Sequence, residues 1–151
     1  MNLSKAATYT PFLLAASLLA GTAAQAGDAA GHTVTAPDAV KWVPNPNVPG
    51  GMTAVIMGDP KKPGAYIIRN KFPPNTNNVP HTHPDTRQIT ILSGTWNFGH
   101  GDKFDATKGT KLPAGTFFVE PAGSKHYNFT TNEEVVIQVS GNGPTASTPV
   151  K

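Results

Sequence analysis

The feature that most constrains the fold of this chain is the regular spacing of turn sequences after residue 51. Glycine and proline number 15 each, and they form tight-turn tripeptides such as Pro113-Ala114-Gly115 and Pro121-Ala122-Gly123. Between the turns, no apolar residues repeat at the spacing of an amphipathic helix. The chain has short strand-forming runs there instead, at 52–57, 65–72, 88–92, 95–98, 116–119, 126–130 and 135–139. This pattern predicts an all-β fold, an antiparallel sandwich or barrel.

The sequence predicts one folded domain flanked by less regular segments. Residues 27–51 are interpreted as an extended N-terminal arm, because three prolines interrupt regular strand pairing there. Residues 52–143 form the predicted β-barrel, and residues 144–151 a flexible C-terminal tail. A chain of 151 residues has room for one sizeable core.

Residues 1–26 have the features of a cleaved secretory signal peptide. Lys5 supplies the positive charge, residues 12–20 the apolar run, and Ala24-Gln25-Ala26 the small-residue cleavage site. The alternative is a membrane anchor, but the run is shorter than the roughly 20 residues that span a bilayer. We therefore expect a periplasmic or secreted protein with no membrane partner.

The charge argues against a nucleic-acid-binding protein, and the cysteine content excludes a metal site with thiolate ligands. The formal net charge of +3 falls to about +2 once Lys5 is removed, and the basic residues are scattered along the chain. We therefore expect no nucleic-acid partner, since such binding requires a clustered basic surface. The sequence contains no cysteine, so any metal must be held by nitrogen or oxygen ligands.

Three histidines indicate a metal site. His81 and His83 are two residues apart, so on an extended strand their side chains point to the same face, about 6 to 7 Å apart. His126 begins another predicted strand, directly after a tight turn. A His-x-His pair alone is a weak signal, and the order of turns and strands around it strengthens the prediction.

These residues resemble the two sequence motifs of the cupin superfamily. The second motif is matched by Gly115, Pro121, Gly123 and His126, with Thr130 where asparagine is usual. The first is matched by His81, His83 and Gly94, with Asn75 replacing its leading glycine. The chain also resembles a subgroup of small exported bacterial cupins. The resemblance implies a single-domain jelly-roll β-barrel with the histidines at its mouth.

The main departure from the cupin pattern is the missing acid of the first motif. Its position falls on Arg87 or on Gln88, depending on the spacing counted, and neither is a carboxylate. Gln88 could supply its amide oxygen as a fourth, weak ligand. An inward Arg87 would instead oppose a cation and could hold an anionic substrate.

The resemblance implies one divalent transition metal per chain, held by His81, His83, His126 and, as the fourth ligand, Gln88. Nitrogen ligands favour iron or zinc and leave manganese, nickel and copper open. Three protein ligands leave positions for water or substrate, as in catalytic sites. The alternative is that the histidines bind no metal and the barrel carries a small ligand.

Several other side chains are candidates for a substrate pocket beside the metal. For the arginines the alternative is a rim position, and for the aromatic residues it is plain core packing. Glu120, the acid nearest to the third histidine, is interpreted as a solvated turn residue rather than a partner of the metal ligands. The pocket candidates are Arg69, Arg87, Trp96, Phe98, Phe117 and Asn128.

The function that the resemblance implies is a metal-dependent, dioxygenase-like enzyme acting on a small organic molecule. The competing hypothesis is a non-catalytic periplasmic barrel that binds or senses a metal or small ligand. A closed coordination sphere, with Gln88 as fourth ligand and no cavity above the ion, would favour this second hypothesis. The resemblance also implies a homodimer formed through sheet edges and the N-terminal arm.

Overall fold

The computed structural model describes residues 31–151, so the predicted signal peptide and residues 27–30 lie outside the described part. Within residues 31–151 the fold is almost entirely β, as predicted. Two short 3-10 turns occur, at Pro37–Ala39 and Ala106–Lys108. The strands are β1 Val43–Pro44, β2 Met52–Met57, β3 Gly64–Phe72, β4 Asn77–Thr82, β5 Arg87–Ser93, β6 Thr95–His100, β7 Thr110–Pro113, β8 Phe117–Glu120, β9 His126–Phe129, β10 Val135–Gly143 and β11 Thr148–Pro149.

The strands form two antiparallel sheets that enclose the core. One sheet has the order β1-β2-β3-β10-β5-β8, and the other has the order β11-β4-β9-β6-β7. The sheets therefore end on β8 and β7 respectively, and these two strands lie on either side of a seam in the barrel wall. This arrangement confirms the predicted jelly-roll β-barrel.

The core is built by alternate residues of the strands, which point inward. On β5 these are Ile89 and Ile91, and on the neighbouring β10 they are Ile137 and Val139, all at most 1% exposed. Trp96 on the opposite sheet packs against Phe72, with their ring centroids 6.0 Å apart. Burial of such side chains contributes roughly 1.5 to 3 kcal/mol each.

The outer face of the second sheet is covered by the loop of residues 101–109. Phe104 in this loop packs against the rings of Tyr127 and Phe129, at 5.1 and 5.7 Å. Gly99 on β6 allows the Tyr127 ring to lie directly against the strand, because a Cβ at this position would be 2.1 Å from a carbon of that ring. This packing holds β6 and β9 together beneath the loop.

The two ends of the described chain differ from each other. In the described part of the predicted arm, residues 31–51, the regular structure is the 3-10 segment and the two-residue β1, and turns around the buried Val48 lead into β2. The C-terminal segment corrects our expectation of a flexible tail, since β11 pairs with β4 and the amide of Val150 donates to the carbonyl of Pro80. Strand addition satisfies the open edge of β4, which is why the segment is ordered.

Among residues 31–151, no helix is both long enough and apolar enough to cross a bilayer.

Candidate metal centre

The three histidines of the two motifs meet inside the barrel. His81 on β4 lies directly opposite His126 on β9, and His83 follows just after the end of β4. Their exposed fractions are only 4%, 1% and 8% respectively. One ring nitrogen from each lies within 4.8 Å of the others, a spacing that a single ion can bridge.

Hydrogen bonds from the rings fix which nitrogen is available to a metal. In each histidine, Nδ1 lies against a backbone carbonyl, which can only accept a hydrogen bond, so Nδ1 carries the proton. The neutral ring then has its lone pair on Nε2, as metal-binding histidines require. The three contacts run from His81 to Val79 at 2.7 Å, from His83 to Ala146 at 2.6 Å and from His126 to Ser124 at 3.0 Å.

Burial keeps the rings uncharged. It is the largest cause that lowers the pKa of His83 and of His126, to about 3 in each case. The pKa of His81 is also lowered, chiefly by burial and further by the nearby Arg87 guanidinium. Neutral imidazoles at ordinary pH are ready to bind a cation without first losing a proton.

The structure decides between Arg87 and Gln88 at the position of the missing acid. Arg87 points inward and is 7% exposed, whereas Gln88 is exposed on the outer face, where its Oε1 lies 3.4 Å from Oγ of Ser140. The expectation that Gln88 is a fourth ligand is therefore wrong, since neighbouring residues of a strand face opposite sides of a sheet. Arg87 occupies the inward position instead.

Glu120 is the site residue that sequence reasoning missed. It is 3% exposed rather than solvated, and it lies directly across from Arg87 in the pairing of β8 with β5. Its Oε1 is 3.0 Å from Nδ1 of His126 and 3.9 Å from Nε2 of His83. Neither carboxylate oxygen has a hydrogen-bond partner among the described residues, since the His126 N–H is directed to a backbone carbonyl.

The electrostatic environment of Glu120 favours its protonated form. Burial raises its pKa to about 7, against the opposing effect of Arg87 and with a smaller contribution from Asp85. The available sequence signal was its place directly before Pro121 of the second motif, at the end of an inward-alternating strand. Glu120 follows Phe118 on the same face of β8.

A second buried acid, Asp85, orders the loop that carries His83. The hydroxyl of Tyr66 donates to Oδ2 of Asp85 at 2.6 Å, and the hydroxyl of Thr145 donates to the other oxygen. Burial and this hydrogen bond raise the pKa of Tyr66 to about 12. Because Thr145 precedes Ala146, whose carbonyl holds His83, the network links the C-terminal segment to the three histidines.

The predicted pocket residues divide into inward and outward sets. Phe98 stacks on the ring of His126, with the ring centroids 5.1 Å apart and an angle of 16° between the ring planes. Asn128 is buried on the same strand as that histidine. Trp96 points inward but packs into the core. Arg69 lies on the outer face, where its Nε donates to Oε1 of Gln138, and Phe117 is 61% exposed. Both pocket assignments are therefore wrong, because alternate residues of a strand face opposite sides of the sheet.

A cavity of about 260 Å³ opens at the seam between β7 and β8. Its walls are largely apolar, and they include Glu120, which lies beside His126. The main lining side chains are Phe98, Leu112, Phe118, Val119, Pro121 and Glu120. The cavity thus adjoins the surroundings of the histidines through Glu120, whose Oε1 lies 3.0 Å from Nδ1 of His126.

Residues 30–146 match the ChrR Cupin-like domain family. The match covers most of the chain, so the protein belongs to this family, which confirms the cupin resemblance of the two histidine motifs. Two germin-like proteins of Oryza sativa subsp. japonica are similar as well, one 33% identical over 76 residues and the other, germin-like protein 9-3, 32% identical over 77. Each alignment covers 50% of this chain and 36% of the relative, so the chain spans about a third of the relatives' length.

Solved structures share the fold. The polyketide cyclase RemF from Streptomyces resistomycificus superposes with a TM-score of 0.65 at 17% identity, over 78% of this chain and 84% of its own. An oxalate oxidase superposes with a TM-score of 0.53 at 24% identity, over 70% of this chain and 57% of its own. These likenesses establish the architecture, and both neighbours are enzymes that act on small molecules.

Proposed function

We propose that this protein is a metal-dependent enzyme that acts on a small organic molecule in an oxygen-inserting, dioxygenase-like reaction. His81, His83 and His126 hold one divalent transition metal. The nitrogen donors favour iron or zinc, and of the two only iron has the redox chemistry that oxygen insertion requires. The observation that carries the proposal is the convergence of three buried, neutral histidines whose Nδ1 atoms are all held by carbonyls. A bound redox-active ion would supply Lewis acidity and dioxygen activation.

The seam cavity supports catalysis over simple metal storage. Its apolar walls exclude water and suit a largely apolar or aromatic body, while Glu120 and Arg87 offer polar groups near the histidines. The competing hypothesis is a non-catalytic barrel that binds or senses a ligand or metal, and it requires a closed coordination sphere that includes Gln88. Because Gln88 faces outward and Glu120 belongs both to the cavity wall and to the surroundings of His126, the enzyme is the better supported proposal.

Export to the periplasm or outside the cell is part of the proposal. It rests on the signal-like sequence of residues 1–26. The expected test is N-terminal sequencing of protein secreted by a bacterial host, which should begin at Gly27. Retention of an uncleaved N-terminus would contradict it.

A homodimer is also part of the proposal. Leu92, Phe117 and Val119 are exposed together on the outer face of β5 and β8, and an apolar patch of this kind supports pairing of two copies. Light scattering during size-exclusion chromatography should give twice the chain mass for the wild type and the chain mass for Phe117→Asp. A monomeric wild type would contradict this part.

Metal analysis tests the proposed site directly. Tag-free protein purified from the periplasm should carry close to one ion per chain, and His81→Ala and His126→Ala should lose it. Gln88→Ala is the matched control and should keep the full metal content, because its side chain faces away from the histidines. A metal-free wild type, or variants that bind as much as the wild type, would overturn the proposal.

The reaction class is tested by oxygen consumption with the loaded protein. Small aromatic compounds and diketones are the first substrates to screen, because they match the size and character of the cavity. Uptake that the wild type shows and His126→Ala does not would support an oxygenase. A protein that holds metal but consumes no oxygen with any of them would favour the binding barrel.

A further inference from the structure

An arginine stands on the inner wall of the barrel at the position of the missing acid. Arg87 is the first residue of β5, points inward and is 7% exposed. Besides burial, which is the largest cause, its positive charge lowers the pKa of His81, His83 and His126. The guanidinium therefore lies close enough to the three histidines to act on a ligand that binds beside them.

The guanidinium of Arg87 has no counter-ion among residues 31–151. Its Nε is buried without a hydrogen bond. Glu120 is its partner in the register of β5 and β8, but the two side chains form no ion pair, and Oε1 of Glu120 lies 3.0 Å from Nδ1 of His126 instead. The other buried acid, Asp85, already accepts two hydrogen bonds from hydroxyls. A buried charge is costly unless it is paired, so this guanidinium is complementary to an anion that the described chain does not supply.

We propose that Arg87 binds an anionic oxygen group of the substrate, so that the substrate is a small organic molecule that carries a carboxylate. This inference rests on the proposed function and names the substrate class of the same site. A guanidinium presents parallel N–H groups, and these match the two oxygens of a carboxylate. Phe98, which stacks on His126, adds an apolar surface beside the histidines, and such a surface suits an organic carboxylate better than an inorganic anion.

The test is titration of the Co²⁺-loaded protein with acetate, followed by the visible spectrum, with acetamide as the uncharged analogue of the same shape. Arg87→Met keeps an unbranched side chain and removes the charge, so the affinity for acetate should fall about 10- to 100-fold. Arg69→Met is the matched control, because Arg69 is the other arginine of the chain and is bonded to Gln138 on the outer face. It should bind acetate as the wild type does.

Urea denaturation of the metal-free protein separates this inference from the proposed metal site. Acetate should raise the urea midpoint of the wild type and of Arg69→Met above the midpoint in acetamide, because a ligand that binds only the folded state stabilises it. Arg87→Met should have the same midpoint in both. The transition itself shows whether each variant is folded. Arg87→Lys is the second variant: it keeps the buried charge without the planar fork, so it should lose less acetate affinity than Arg87→Met.

Three results would overturn the inference. The first is equal acetate affinity in the wild type and Arg87→Met, and the second is acetamide binding to the wild type as tightly as acetate. The third is inorganic phosphate binding more tightly than acetate, since the site would then hold an inorganic anion. A wild type that binds no Co²⁺ but is stabilised by acetate through Arg87 would instead refute the proposed metal site and support the anion site.

Discussion

The barrel interior has an apolar half and a polar half, and β5 runs through both. The inward residues of β5 are Arg87, Ile89 and Ile91 in order. The interior therefore changes from polar to apolar between one inward residue and the next. The apolar half comprises Val48, Tyr66, Phe72, Ile89, Ile91, Trp96, Phe98, Val135, Ile137 and Val139. The polar half comprises His81, His83, Asp85, Arg87, Glu120, His126 and Asn128.

The two halves differ in how completely their buried groups are satisfied. The apolar half has one buried polar atom without a partner among the described residues, Nε1 of Trp96. The polar half has four, from Arg87, both oxygens of Glu120 and Oδ1 of Asn128. Buried atoms of this kind cost stability, so the polar half lowers the stability of the metal-free fold and the apolar half raises it.

The largest expected effect lies in the apolar half. Trp96→Ala should lower the free energy of unfolding by about 3 to 5 kcal/mol, because it leaves a large cavity beside Phe72. Urea denaturation followed by circular dichroism measures it. Val55→Ala, at a 54% exposed position outside the proposed dimer patch, is the control and should change stability by less than about 0.5 kcal/mol. Equal costs at both positions would remove the distinction between core and surface on which the comparison rests.

Acid should destabilise the metal-free protein through the polar half. In the unfolded chain His83 and His126 titrate near 6.5, whereas in the fold their pKa is about 3, so between these values the unfolded state binds more protons. The free energy of unfolding therefore falls as the pH drops below 6.5. For each additional proton that the unfolded state binds, the free energy of unfolding falls by about 1.4 kcal/mol per pH unit of acidification.

Glu120 should oppose this effect. Its pKa rises from 4.5 in the unfolded chain to about 7 in the fold, so its contribution to stability is lost as the pH rises through that range and regained on acidification. Glu120→Gln removes the compensation, and the loss of stability between pH 7 and pH 5 should become steeper than in the wild type. Urea titrations of metal-free protein at these two pH values measure the difference. Identical slopes would show that Glu120 does not change protonation on folding.

The apolar half could be predicted from the sequence, because alternation and turn chemistry are local signals. Most of the strands that carry the core were predicted from these signals. The three histidines of the polar half were also predicted, because the motifs around them are local. Strand β4 was missed, since Asn77, Asn78 and Pro80 all disfavour strands, and tertiary pairing with β9 overrides their propensities. Strand β11 was missed for the same reason, because only the open edge of β4 orders it.

The polar half depends on long-range register that the sequence does not display. The choice between Arg87 and Gln88 turns on a shift of one residue, which reverses the face of every side chain on the strand. Glu120 appears solvated when only its neighbours along the chain are considered. Its partner in space, Arg87, is brought opposite it by the pairing of β5 with β8.

The smallest effect we predict compares two buried tyrosine hydroxyls, one bonded to Asp85 of the polar half and the other bonded to the loop outside the second sheet. Tyr66→Phe removes a donor from the buried carboxylate of Asp85 and should cost about 1.5 to 3 kcal/mol. Tyr127→Phe removes a bond to the neutral carbonyl of Asp105 at 2.7 Å and should cost about 0.5 to 1.5 kcal/mol. Urea denaturation of the two variants gives the difference.

The same pair separates positioning of the metal ligands from general stability. Asp85 also accepts from Thr145, and the next residue holds Nδ1 of His83, so Tyr66→Phe should weaken zinc binding as well as the fold. Tyr127→Phe should leave zinc affinity unchanged, since its hydroxyl bonds to the outer loop. Equal zinc affinity in both variants would mean that the orientation of His83 is set by the pairing of β11 with β4 alone. The Asp85 network would then belong with the stabilising half of the interior.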